Sequence, residues 1–379
     1  MKGGKVDTRA IAGVLAIAVL VALYRGFRMP SAWCATFDAA SIFDGCHRRW
    51  LIGTLLRPLA IVFDDDYRLF AAVNFIVLAL IVGVIARAAM TARTASVQLL
   101  CISWFLLPTG GFLFHEVGYS EQVNYLLLFA AIALVHRRHL IAATIVMALT
   151  PLVHEAALAT VIPVFGIVVL RREPLRRAIT AVAVPAVIGA VQLVIKPGAS
   201  TATAQLLAHL HGANFAVRHD AAAFFTSAPT DFVHHYDGLV AVLLPLAAVE
   251  VIAFIALWCL DWRSWASVED RNPSALVLLA SSVAIAAPFA LVHGGADGNR
   301  WQLMLVANWF IVVWISLDRG TKELPRRCGI AGVAALLLIC HFLAFYYFDG
   351  ASPRPLEPMQ VEHFVKRVAN GSVFLFPDR

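Results

Sequence analysis

Two adjacent arginines stand among carboxylates in the stretch Phe43-Asp44-Gly45-Cys46-His47-Arg48-Arg49-Trp50, with Asp38 upstream and Arg57 downstream. A guanidinium presents a rigid fork of N–H donors that matches paired phosphate oxygens, so Arg48, Arg49 and Arg57, with His47 beside them, suit a phosphate or pyrophosphate. Asp44 and Asp38 are the carboxylates beside these arginines. A salt-bridged loop touching lipid headgroups would use the same residues without any chemistry.

A dipeptide recurs as His115-Glu116 and His154-Glu155. A zinc-protease helix needs a second histidine four residues after the first, and those positions hold Tyr119 and Leu158, so no HExxH site exists. Neighbours on a helix point in different directions, so neither pair acts as a dyad by itself. Ionisable residues at membrane depth usually face a cavity, so His115, Glu116, His154 and Glu155 are candidate site residues; packing partners that bond across helices are the alternative. Glu121 and Asn124 extend the first pair by a helical turn. The stretch His293-Gly294-Gly295-Ala296-Asp297-Gly298-Asn299-Arg300-Trp301 lets the backbone turn tightly and places Asp297 and Arg300 as candidate ligand contacts, or forms a turn with an interfacial Arg300-Trp301 anchor. His209, His211, His219, His234 and His235 lack tight ligand spacing and read as surface residues, so no metal site is expected. No cofactor is implied, with a divalent cation accompanying a pyrophosphate left open.

The elements that must position these residues are apolar. Of the 379 residues 60% are hydrophobic and 14% charged, and the mean hydropathy is +0.78, which excludes water as the main solvent. The net charge of +6 comes from short clusters between apolar runs rather than one basic face, so nucleic acid is not an expected partner. A span needs about 20 apolar residues. Eleven are drawn, at about 10–27, 69–86, 97–114, 123–135, 140–153, 156–170, 178–195, 238–260, 274–292, 301–317 and 328–347. Alternate connections carry Lys2/Lys5/Arg9, Arg87/Arg93, Arg137/Arg138, Arg171/Arg172/Arg176/Arg177, Arg263/Arg271 and Arg319/Lys322/Arg326/Arg327, the pattern of cytoplasmic loops. The expectation is an all-α polytopic transmembrane bundle with a cytoplasmic N-terminus and a C-terminus outside. Residues 1–347 form one membrane domain, with outer loops 28–68 and 196–237, and 348–379 an outer tail. Arginine clusters on both sides of 140–170 require a hairpin there rather than one tilted helix, with His154-Glu155 at its outer turn. Phe37, Ile42, Phe43, Trp50, Leu51, Leu55 and Leu56 in the first outer loop, and Leu206, Leu207, Leu210 and Phe215 in the second, suggest amphipathic helices on the membrane surface. Cys34 and Cys46 share the first loop and either pair or stay free.

The order of Asp-Gly-x-x-Arg-Arg-x-Leu-x-Gly at Asp44 to Gly53, Leu-Val-His-Glu-Ala-Ala-Leu at 152–158 and Asp-Gly-Asn-Arg-Trp at 297–301 resembles bacterial membrane proteins of surface-polysaccharide gene clusters. They are similar to EpsG-like polymerases and more distantly to GT-C glycosyltransferases. One departure is that the His-Pro-Ser-Ala-Leu type of motif of EpsG-like chains reads His154-Glu155-Ala156-Ala157-Leu158 here. The resemblance implies an inner-membrane enzyme that transfers or polymerises sugars at the periplasmic face. Its partners would be a polyprenyl-linked sugar, a glycan acceptor, membrane lipid and other subunits of a glycan-assembly complex. GT-C enzymes are similar in keeping an acidic residue in the first outer loop, so the resemblance favours Asp44 or Asp38 as the base for an acceptor hydroxyl, with Glu116 and Glu155 next. A transporter or flippase, with the same charges binding substrate, is the rival from another class, and a non-catalytic subunit a third reading. The topology is tested by single cysteines: one replacing Arg137 should label from the cytosol only and one replacing Asp64 from outside only, and labelling of both from one side would sink it.

Overall fold

Backbone N–H and C=O groups held away from water must find partners, and an apolar segment does this within itself by coiling into a helix. The structure, a computed structural model, describes residues 8–45, 48–92, 95–106, 108–194, 199–224, 274–293 and 298–317, with short pieces at 346–349, 352–355 and 365–366. Over these residues the fold is all-α apart from one short hairpin. The helices are α1 Thr8–Gly26, α2 Ala32–Ala39, α3 Leu51–Val62, α4 Tyr67–Thr91, α5 Ala95–Leu106, α6 Pro108–His115, α7 Glu121–His136, α8 Leu140–Val153, α9 Val161–Arg172, α10 Leu175–Val194, α11 Ala199–His209, α12 His219–Phe224, α13 Ser274–Ala286 and α14 Gly298–Leu317. Two of them, α4 and α10, are long and apolar enough to cross a membrane.

Two expectations change on folding, and one holds. The stretch 97–114 is two helices, α5 and α6, and the second begins at Pro108, a residue with no N–H to continue the first ladder. Residues 140–170 are also two helices, here as expected, separated by a 3-10 turn over Glu155–Leu158. Residues 238–260 and most of 328–347 lie outside the described residues, but Tyr346–Asp349 pair antiparallel with Ser352–Pro355, so the last drawn span ends in a strand. The hairpin is β1 and β2.

The main core lies where α7, α8, α9 and α10 pack in sequence, joined by α1 against α5 and α6 and by α13 against α9. Its polar fastener is Asn308 of α14, fully buried. Its amide donates to the carbonyls of Thr160 (2.9 Å) and Ala284 (2.8 Å), and its carbonyl accepts from the Tyr125 hydroxyl (2.9 Å). One side chain thereby ties α14 to α7, to α13 and to the residue before α9. At the opposite end of α9 the buried Arg171 donates to Ser316 Oγ of α14 at 3.1 Å.

A second, smaller core forms at the end of the bundle where α4 begins, from Phe27, Phe37, Tyr67, Phe70, Leu206, Leu210 and Phe215. Here the stretch 199–215 departs from expectation: Leu206, Leu210 and Phe215 are buried in one core with residues of α2 and α4 rather than lying on a membrane surface, because the stretch 27–75 offers a matching apolar face. Most of α2 is likewise buried. Only the α3 region matches a surface element, with Phe43, Leu55, Leu59 and Val62 exposed. A Cβ on Gly53 would collide with the backbone of Ala39 and Ala40, so glycine there is what lets α3 lie against the end of α2.

Replacing Asn308 with Ala should lower stability by about 1–3 kcal/mol, since two carbonyls and the Tyr125 hydroxyl lose partners in one step. Thermal unfolding of the purified protein measures it, and an unchanged midpoint would count against the fastener.

Candidate functional site

Thr54 ties the 3-10 turn Ile42–Asp44 to the start of α3: its hydroxyl accepts the Ile42 N–H (2.9 Å) and donates to the Trp50 carbonyl (2.7 Å). Arg49 has φ +62°, a left-handed conformation costly for a residue with a Cβ. That turn directs its guanidinium at Glu155, 106 residues away: Nε donates to Oε2 at 2.8 Å and Nη2 to Oε1 at 2.6 Å, while Arg48 Nη1 lies 3.5 Å from the same carboxylate. The Phe37 ring faces Arg49 at 5.3 Å. Burial alone would raise the Glu155 carboxyl, but Arg49 first, then His154 and Arg48, hold it well below the usual carboxylate range.

Beside it stands His154, the residue that ends α8 in an extended conformation. Its Nδ1 accepts the Ala156 N–H at 2.9 Å, which assigns the ring hydrogen to Nε2, and Nε2 lies 3.2 Å from Glu121 Oε1. Burial, then the charge of Arg49, push this imidazole down to about 4, so it is neutral near pH 7. Glu121 opens α7, and its Oε1 is also 3.5 Å from Arg300 Nε near the start of α14. The Arg300 guanidinium stacks on the rings of Tyr119 (4.6 Å) and Trp301 (4.7 Å). Asn124, fully buried, donates to the His154 carbonyl at 3.4 Å. A continuous chain of charge thus runs Arg48 and Arg49 to Glu155, past His154 to Glu121 and on to Arg300.

The chain ends at a groove between α4, α5, α7 and α14. Its walls are apolar, with Ile85, Ala88, Trp104, Phe129, Ala307 and Trp314 among them, and its polar lining is confined to Glu116, Tyr119, Glu121, Gln122, Tyr125 and Arg300. From Arg300 to Trp314 it follows α14 for about 21 Å at 1.5 Å per residue.

Of the candidates named from sequence, Arg48, Arg49, His154, Glu155 and Arg300 converge, and Glu116 joins them in the groove lining. The other described candidates sit elsewhere. His115 is buried edge-on to Phe112. Asp38 is buried against α4, accepting from Asn74 Nδ2 at 2.6 Å, and burial pushes its carboxyl up to about 7. Asp44 accepts from the Ser41 N–H (2.9 Å) and hydroxyl (2.6 Å) and lies 3.0 Å from His209 Nδ1. The other nitrogen of that imidazole is 3.2 Å from Asp65, whose carboxyl burial raises and His209, then Arg57, temper. Burial works the same way on Asp44, but His209 and Ser41 outweigh it and hold that carboxyl low. His209 is therefore no surface residue: it clamps α11 between the 3-10 turn at Asp44 and the turn before α4. His47 and Asp297 lie outside the described residues, as do Cys46, His234 and His235. Cys34 is a buried thiol, raised to about 12 chiefly by burial. Among the described residues no group of three or more His, Cys, Asp or Glu is arranged to hold a metal ion.

Sequence reasoning placed Glu121 only as a companion of His115-Glu116 and gave His209 and Asp65 no role. Glu121 and Tyr125 share a face at a spacing of four, the pattern that could have drawn attention to α7. Comparison with known protein families, with characterised proteins and with solved structures finds no match for this chain.

Arg49→Met should cost about 3–5 kcal/mol by leaving a buried carboxylate short of its main partner, whereas Arg49→Met with Glu155→Met should recover most of that loss. Equal losses in the single and double variants would rule the pair out as a coupled unit. Asp38 supplies a pH test. Its folded carboxyl keeps a proton up to about 7, above the unfolded value near 3.9. The folded state thus binds the extra proton between those values, and stability falls as pH rises through that window. Asp38→Asn should flatten this slope in unfolding curves taken from pH 4 to pH 8, and an unaltered slope would assign it to other groups.

Proposed function

We propose that this chain is a polytopic membrane enzyme of cell-surface glycan assembly, with about eleven spans and an outer face at the end of the bundle where α4 begins. It would transfer or polymerise sugars from a polyprenyl-phosphate-linked donor. The observation that carries the reading is the meeting of three motifs distant in sequence, around Arg49, His154 and Arg300, at the head of an apolar groove. A soluble sugar nucleotide has no use for about 21 Å of apolar wall, whereas a lipid-linked sugar needs both the wall and the charged head. The membrane setting is supported by large apolar side chains turned outward on several helices, Ile17 and Leu20 of α1, Ile76 of α4, Ile141 of α8 and Val187 of α10 among them. It is supported too by two helices of membrane-crossing length.

In the transfer an acceptor hydroxyl attacks the anomeric carbon, its proton passes to a carboxylate, and the bond from that carbon to the phosphate oxygen breaks with the electron pair leaving on phosphate. Displacement from the opposite side inverts the anomeric centre. The charge that gathers on the phosphate is met by guanidinium groups, Arg300 at the groove and Arg48 and Arg49 beyond it. Asp38 and Asp44 are engaged by Asn74, Ser41 and His209, and Glu155 by Arg49, so the first-loop acids serve here to position α2, α4 and α11.

Purified protein in vesicles, given a polyprenyl-phosphate-linked hexose and a lipid-linked acceptor, should extend the acceptor with inversion, and Arg300→Ala should slow it by roughly 10²–10³-fold. Translocation of a labelled lipid-linked sugar without any extension would instead make the protein a flippase.

A further inference from the structure

At the end of the bundle where α8 and α10 begin, positive charge gathers without being balanced. The turn from α7 into α8 carries Arg137 and Arg138, and the turn from α9 into α10 leads to Arg176 and Arg177. The fold sets the two turns side by side: Arg172 Nη1 donates to the His136 carbonyl at 3.4 Å, 36 residues away, and α8 packs against α10. Arg171 is engaged inside the core by Ser316, but Arg137, Arg138, Arg176 and Arg177 are all exposed. One carboxylate stands among them. Glu173 lies 3.5 Å from Arg177, whose side chain stays 72% exposed, and among the described residues no carboxylate is within 4 Å of Arg137, Arg138 or Arg176.

Two features of the backbone run against this placement of charge. Arg176 and Arg177 occupy the first turn of α10, α8 follows directly on Arg137, Arg138 and His139, and neither helix has an acid in its first turn. A helix start carries partial positive charge, so cations there are repelled until an anion joins them. Arg138 also has φ +65° at the close of α7, where the His139 N–H reaches back to the Leu134 carbonyl at 2.9 Å, a position that glycine would fill at lower cost. Directly beyond the arginines the outward positions turn apolar, with Ile141 and Ile145 on α8 and Leu175 and Ile179 on α10. A soluble anion would leave that wall bare. An anion joined to acyl chains covers it.

We propose that this corner of α8 and α10 binds an anionic phospholipid with two phosphates, of the diphosphatidylglycerol class, in the cytoplasmic leaflet. Arg137 and Arg138 take one phosphate and Arg176 and Arg177 the other, while acyl chains lie along Ile141, Ile145 and Ile179. Helices in contact stand about 8–10 Å apart, so arginines from the two starts converge on one headgroup, and guanidinium forks suit its oxygens. The inference rests on the membrane setting of the reading above and not on glycan transfer.

The full chain in nanodiscs of phosphatidylcholine is titrated with diphosphatidylglycerol, with phosphatidylglycerol, and with a soluble glycerol bisphosphate that has the phosphates without the chains. An arginine near an anionic headgroup changes affinity roughly fivefold, so the wild type should hold the two-phosphate lipid at least about tenfold more tightly than phosphatidylglycerol. On the same scale Arg137→Gln with Arg138→Gln, and Arg176→Gln with Arg177→Gln, should each lower that affinity by about 25-fold and erase the preference. These side chains are exposed, so both variants should unfold at the wild-type midpoint in phosphatidylcholine; if one pair does not insert, the other carries the test. Arg87→Gln, which removes an exposed cation from α4, should change neither affinity. Equal binding of the two lipids, a preference that survives in both paired variants, an equal loss in Arg87→Gln, or displacement of the lipid by the bisphosphate on equal terms would each overturn the site. The expected binding together with outside-only labelling of a cysteine at position 137 would overturn the topology alone and leave the lipid class in place.

Discussion

The two hydrogen bonds from Arg49 to Glu155 are the constraint on which the arrangement of this site depends. They join the first loop to the turn between α8 and α9, residues 106 apart in sequence. A buried ion pair of this kind gains little net stability over an apolar pair of the same size, because each charge must be stripped of water. What it supplies is register. The fork of the guanidinium fits the carboxylate in one orientation, and the left-handed backbone of Arg49 persists because that orientation demands it.

Everything downstream follows from Glu155 being anchored. His154 precedes it, so fixing one fixes the other's ring beside Glu121; Arg300 then closes the series from the opposite side of the groove. Neutral imidazole is the form that suits this place, since a third cation between Arg49 and Arg300 would be repelled from both. The helices themselves are aligned by separate means. Asn308 satisfies all its hydrogen-bonding groups on three neighbours, and the small core of Phe70, Leu206 and Phe215, clamped by His209 between Asp44 and Asp65, covers the end of the bundle. The first loop thus divides its labour: its aspartates hold α4 and α11, and Arg48 and Arg49 face the site.

Helical character, the break at His154, and the candidacy of Arg48, Arg49, His154, Glu155 and Arg300 were legible from residue types, because apolar run length and charge clusters are local properties that any fold of this chain must respect. The convergence of those residues was not legible, since nothing local says that Arg49 meets a carboxylate 106 residues on rather than Asp44 nearby. The same limit hid the roles of the aspartates. A carboxylate beside arginines has the same sequence signature whether it faces a ligand or a serine and a histidine, and only burial and the count of donors around it separate the two. Asp44 and Asp38 found protein donors; Glu121, modest in sequence, was left with oxygens that no described residue bonds. Residue chemistry therefore determined which groups were available, and tertiary packing decided which of them already had partners, because hydrogen-bond saturation is a property of a three-dimensional neighbourhood and not of a position in the chain.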